Sequence, residues 1–193
     1  MCGVAGFLSL DGTEIVKADR FLTVLGDLIS HRGPDGYGTW ISENRSIGLA
    51  HRRLAIIDLS EHAAQPMSGH NGLTISYNGE IYNYKELKKD AEAKGIHFSS
   101  ESDTETILSS YAQFGVNAAR HLRGMFAFAL WDEKKNRLIL SRDRFGIKPL
   151  YYTVTENLFV FASEAKALLP FLPTISTNSV SYTHLTLPTK RIV

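Results

Sequence analysis

Between Lys17 and Ile29 the apolar residues Phe21, Leu22, Leu25, Leu28 and Ile29 recur at helical spacing. The run His31-Arg32-Gly33-Pro34-Asp35-Gly36 then breaks that spacing with turn formers, so the pattern predicts an amphipathic helix that runs into an irregular loop. Short strand-like runs follow at Tyr37 to Ile41, Ile47 to His51, Leu54 to Asp58 and Leu73 to Tyr77, separated by segments rich in Gly, Ser, Asn and Pro. Antiparallel pairing is the expected outcome.

Tyr84 to Lys94 is rich in Glu, Lys, Leu and Ala and stops at Gly95, a suitable glycine for a helix C-terminus. Ser102-Asp103-Thr104-Glu105 has capping-box spacing ahead of Ile107, Leu108 and Tyr111, with Gly115 where that helix should end. Beyond Gly124, the residues Phe126, Phe128 and Leu130 alternate with smaller ones, Lys134-Lys135-Asn136 reads as a turn, and Leu138 to Leu140 starts a return strand. A second strand pair is expected at Leu150 to Val154 and Leu158 to Ala162, then a short helix over Ser163 to Leu169. Two strand-rich halves with interposed helices predict an α+β fold of two packed sheets covered by helices.

With 193 residues the chain suits one domain with a substantial core. Lys and Arg number 21 against 20 Asp and Glu, without a basic block, so nucleic acid is not an expected partner. The apolar stretch Val4 to Leu10 lacks a basic leader and is too short for a membrane span, and no membrane partner is expected. A single cysteine excludes an intrachain disulfide and any multi-cysteine zinc site, which fits a reducing, cytoplasmic setting.

That one cysteine is Cys2, directly after Met1. Removal of Met1 would leave an α-amine and a thiol on one residue. A thiol attacks as its thiolate, and an α-amine with an ordinary pKa of about 7.7 to 8 accepts a proton near neutrality, so one residue supplies nucleophile and base. The bland alternative is a small apolar residue opening a buried strand.

Further polar clusters follow: His31-Arg32-Gly33-Pro34-Asp35, His51-Arg52-Arg53-Leu54, Asn78-Gly79-Glu80-Ile81-Tyr82-Asn83, Ser102-Asp103-Thr104-Glu105, and Arg142-Asp143-Arg144-Phe145-Gly146-Ile147-Lys148-Pro149-Leu150-Tyr151-Tyr152. With Cys2-Gly3, and in this order as far as about Leu169, they resemble the glutaminase domain of class II glutamine amidotransferases, most closely the N-terminal half of glutamine-dependent asparagine synthetases. The resemblance implies the N-terminal-nucleophile hydrolase fold, a four-layer αββα sandwich of two mainly antiparallel sheets.

It also implies roles. Cys2 is the nucleophile that converts L-glutamine to glutamate and ammonia through a thioester. Asn78 and Gly79 match the oxyanion-hole positions, where a side-chain amide and a backbone N–H meet the developing charge. An Asn-Gly pair by itself is equally a hairpin-turn signal. Arg53 matches the residue that grips the substrate α-carboxylate, an anion suited to a guanidinium fork. Asp103 matches the receiver of the α-ammonium, and as a helix-entrance residue it also reads as a cap. Glu80 lies at a position used near bound glutamine. His31 is read as loop structure rather than a base, and Arg142 to Tyr152 as a buttress of the sheet.

In the resembled synthetases a C-terminal domain activates aspartate with ATP and magnesium, and the parent is expected as a homodimer. The Ser-Gly-Gly-x-Asp-Ser loop of that domain occurs nowhere in these residues, so no metal or cofactor site is expected here. Residues 1–178 are read as the glutaminase domain and 179–193 as a foreign tail resembling translated adapter sequence. Two other readings stay open: the glutaminase half of another amidotransferase, and a noncatalytic module that binds glutamine or docks a subunit.

Overall fold

A computed structural model describes residues 1–54 and 64–176. The chain order begins with β1 (Gly3–Ser9), α1 (Ala18–Leu28), β2 (Gly36–Ile41), β3 (Ile47–Arg53), β4 (Met67–Ser68) and β5 (Leu73–Ile81). It continues with α2 (Tyr84–Glu92), α3 (Asp103–Phe114), β6 (Gly124–Asp132), β7 (Arg137–Arg142), β8 (Tyr151–Val154) and β9 (Leu158–Ala162). The strands form a five-stranded sheet in the order β2-β3-β1-β9-β8 and a four-stranded sheet in the order β4-β5-β6-β7. All of these pairings are antiparallel.

Strand alternation builds three apolar layers. In β1, Val4 points between the sheets with Leu49, Ala129 and Phe161, while Ala5 and Phe7 point outward onto Leu22, Leu25 and Ile29 of α1 and its exit. On the other side Ile75 and Ile81 of β5 and Leu130 of β6 pack against Ile107 and Leu108 of α3. Helix, sheet, sheet, helix is the αββα order. Each fully buried Leu, Ile or Phe contributes roughly 1.5–3 kcal/mol, so all three layers are needed to hold the sandwich. No helix among the described residues is long and apolar enough to cross a membrane.

Three local outcomes differ from the sequence pattern. The strand starting at Leu73 does not stop at Tyr77 but runs to Ile81, carrying Asn78 and Gly79 in register with Ala127 and Phe126. The pair is therefore mid-strand, not a turn, because nine consecutive rungs with β6 outweigh a two-residue preference. The capping box is half formed: the Ser102 hydroxyl accepts from the Thr104 N–H at 3.2 Å, but Glu105 turns away and accepts from the Ser99 and Ser100 N–H groups. The last helix is a 3-10 segment over Ala165–Phe171, with Pro170 inside it. Gly95 and Gly115 follow α2 and α3 with φ of 84° and 57°, as helix-ending glycines do. The expected strand at Leu54 to Asp58, beyond Leu54 itself, and the tail 179–193 lie outside the described residues.

Candidate active site

Cys2 sits at the mouth of β1, where the register Gly3 with Arg52 and Gly36 with Arg53 brings it to the end of β3. The Leu54 N–H donates to Cys2 Sγ at 3.3 Å, and the thiol faces the Leu54 carbonyl at 3.5 Å. An N–H so placed is a donor for a thiolate at this sulfur. The Cys2 carbonyl accepts from Arg32 Nε at 3.0 Å, and Arg32 is held in turn by Glu164 at 3.1 Å. His31 joins the same carboxylate at 2.7 Å. The His31 ring is thus spent on Glu164 rather than on the sulfur, which is the loop role expected of it. Burial alone raises the Glu164 carboxyl, but His31, Arg32 and Lys166 together hold it down to about 2.

Across the sandwich, Ser76 of β5 donates to the Ala50 carbonyl at 3.1 Å, which fixes the face of β5 that looks at the five-stranded sheet. Asn78 and Glu80 follow on that face by alternation. The Asn78 side chain is 2 % exposed, and its Nδ2 has no protein partner among the described residues. A buried amide donor without an acceptor is costly unless something else receives it.

The odd-numbered N–H groups of β5 leave by its other edge. The Tyr77 N–H donates to Gln65 Oε1 at 2.6 Å and the Ile81 N–H to Asp103 Oδ2 at 2.9 Å. Strand β4 pairs only with Thr74 and Ile75, so it ends before this point. By alternation the Gly79 N–H aims outward between those two anchors. A Cβ on Gly79 would fall 2.3 Å from the Met125 carbonyl oxygen and 2.9 Å from the Tyr77 ring, so only glycine allows this approach.

Asp103, 5 % exposed, caps this edge from the start of α3, and its Oδ2 also accepts from the Tyr77 hydroxyl at 2.7 Å. Burial pushes the Asp103 carboxyl up, against those hydrogen bonds and the amides of the helix start. Glu80 is likewise raised, first by burial and then by the Asp103 charge, while Lys148 pulls it back. The Tyr77 phenol is pushed well up by burial, by Asp103, and by the fields of Glu80 and Cys2. Cys2, Glu80 and Asp103 thus all act on Tyr77, and Lys148 on Glu80. Arg53 closes β3, and its charge adds to burial in holding His51 down to about 3, as a neutral ring.

Of the residues singled out in the sequence, Cys2 and Arg53 lie at the end of β3, Asn78, Gly79 and Glu80 follow one another in β5, and Asp103 bonds to β5 through Tyr77 and Ile81. Sequence reasoning missed Tyr77, Gln65, the Leu54 backbone and Lys148. The last lies in the stretch read as a buttress, and that stretch does fold on Asp143, which accepts the Phe126, Phe145, Ile147 and Lys148 N–H groups. It also delivers Lys148, 6 % exposed, to Met1 Sδ at 3.5 Å.

A family model for the glutamine amidotransferase domain matches residues 1–188. The chain belongs to that family. Asparagine synthetase [glutamine-hydrolyzing] 3 of Bacillus subtilis is 41 % identical over 172 residues, which are 88 % of this chain and 27 % of that protein. Amidase chry2 of Gibberella zeae is 42 % identical over 181 residues, 89 % of this chain and 27 % of its own. This amidotransferase chain thus spans about a quarter of the length of these curated relatives. Among solved structures, the glutamine phosphoribosylpyrophosphate amidotransferase of B. subtilis superposes with a TM-score of 0.71 at 24 % identity, covering 86 % of this chain and 43 % of its own. The fold is the N-terminal-nucleophile hydrolase sandwich that those amidotransferases share.

Proposed function

We propose that the domain hydrolyses L-glutamine to glutamate and ammonia with Cys2, freed of Met1, as its nucleophile. The α-amine takes the thiol proton and the thiolate adds to the side-chain amide carbon. The oxyanion receives the Asn78 Nδ2–H and the Gly79 N–H. Collapse expels ammonia, which carries away the proton held by the amine, and leaves a glutamyl thioester. Water, deprotonated by the same amine, adds to the thioester and restores the thiol as glutamate departs. Arg53 takes the substrate carboxylate and Asp103 the ammonium, with Glu80 beside them. The observation that carries this reading is the buried Asn78 amide, without an acceptor among the described residues, beside a glycine beyond the end of β4, in the chain whose one thiol is Cys2.

The ammonia passes, in this reading, to a synthetase portion that forms asparagine with ATP and magnesium, in a homodimeric, cytoplasmic parent. Identities of 41 % and 42 % to the glutamine-hydrolysing asparagine synthetases 3 and 1 of B. subtilis support it. The amidase relatives at 42 % and 40 % favour a second version, in which the same glutaminase serves another acceptor.

The test is ammonia and glutamate release by Met1-free protein. Asn78→Ala is expected to lower kcat by about 100- to 1000-fold, the usual loss for one oxyanion donor. An Asn78→Ala variant at full rate removes the oxyanion hole from this account. Calorimetric glutamine binding without turnover in the parent protein favours the noncatalytic module instead.

A further inference from the structure

The proposed ammonium ligand does not stand alone. Asp103 opens α3, and α3 meets β5 at a joint closed by two side chains that the catalytic scheme leaves unused. The Tyr77 hydroxyl donates to Asp103 Oδ2 at 2.7 Å. Gln65 spans the same joint, accepting the Tyr77 N–H at 2.6 Å and donating to the Thr104 hydroxyl at 3.3 Å. Tyr77 is 3 % exposed, and its ring lies against Gly79, so its position is fixed by packing before the hydroxyl is considered.

We infer that Tyr77 is a positioning residue for the substrate ammonium: its hydroxyl holds the Asp103 carboxylate in one orientation at the edge of β5 beyond the end of β4. The inference rests on the proposed glutaminase reading and names the residue that sets its amine subsite. The Tyr77 hydroxyl ends on the carboxylate of the first residue of α3, the one of its two first-turn acids that also takes the Ile81 N–H of β5. A tyrosine also fits the task chemically, since a buried phenol well above its ordinary range remains a neutral donor at all working pH values. The titratable groups that act on Asp103 are Tyr77 and Glu80 from β5, while Cys2 acts on Tyr77 and Lys148, from the loop after β7, on Glu80. On α3 itself Glu105 is turned to Ser99 and Ser100.

The sign of the pH effect follows. Burial raises the Asp103 carboxyl and the Tyr77 hydrogen bond lowers it, so deleting the hydroxyl raises it further. Tyr77→Phe keeps the ring and removes only the oxygen. The expected result with glutamine is a KM about tenfold higher with kcat within about twofold, the size of a lost hydrogen bond to a charged group. The acid limb of kcat/KM that Asp103 sets, distinct from the limb of the Cys2 α-amine, should move up by about one pH unit. With glutaramate, which keeps the γ-amide and the carboxylate but lacks the amine, Tyr77→Phe should change neither KM nor the acid limb.

An unchanged KM and acid limb with glutamine would overturn the inference, and so would an equal loss on both substrates, which marks Tyr77 as a structural residue of the pocket. Asp103→Asn separates this from the underlying reading. If Asp103→Asn loses its preference for glutamine over glutaramate while Tyr77→Phe keeps it, only the role of Tyr77 falls. A parent protein that releases no ammonia, or an Asp103→Asn variant that keeps that preference, overturns the substrate reading and this inference with it.

Discussion

Replacing Cys2 by alanine should abolish ammonia release from glutamine while leaving the fold in place. The side chain precedes β1, and its hydrogen bonds among the described residues are with the Leu54 backbone, whereas the three apolar layers that hold the sandwich begin at Val4. Thermal unfolding of Cys2→Ala should therefore stay within a few degrees of the parent. Loss of a hydrolase nucleophile lowers kcat by on the order of a millionfold, leaving at most what the oxyanion donors and binding supply. Ammonia release and glutamine binding, measured together, check this: binding should persist. Cys2→Ala turning over at the parental rate would remove Cys2 from the chemistry.

Keeping Met1 should be nearly as damaging, for a different reason. The thiol remains, but the nitrogen beside it becomes an amide with no useful basicity, and neither histidine described near it replaces it. His31 is bound to Glu164 and His51 is a neutral ring buried between the sheets. Met1 also stands in front of the Lys148 ammonium, which faces its thioether at 3.5 Å. Protein with an uncleavable extension before Cys2 should release ammonia several orders of magnitude more slowly than Met1-free protein. In the Met1-free form kcat/KM should rise with pH as the amine loses its proton, around the ordinary range of about 7.7 to 8 unless the site shifts it, and the extended form should lack that limb. Intact mass and ammonia release on the same samples check this.

Where one side of an element is buried, its pattern was readable in the chain. Phe21, Leu22, Leu25, Leu28 and Ile29 announce α1, and the alternation of Phe126, Phe128 and Leu130 announces β6, because burial on one face imposes a period. Asn78-Gly79 shows where local chemistry misleads: the turn preference is real, but pairing along the whole of β5 with β6 overrides it. Glu105 shows the same on a smaller scale, satisfying the Ser99 and Ser100 amides in place of the cap. For the site, the motifs marked six residues, and the structure ties Cys2 to the end of β3 and Asp103 to β5. Their supports were invisible, since the Tyr77 contact to Asp103 spans 26 residues and that of Arg32 to Glu164 spans 132, and no periodicity encodes which distant side chains meet.

The most direct test is covalent trapping with a glutamine analogue that carries a diazoketone in place of the γ-amide, followed by peptide mass mapping. The account predicts one adduct, on Cys2 of a chain that begins with that residue, with loss of ammonia release in proportion to labelling. An adduct on any other residue, or full labelling with undiminished turnover, would contradict it.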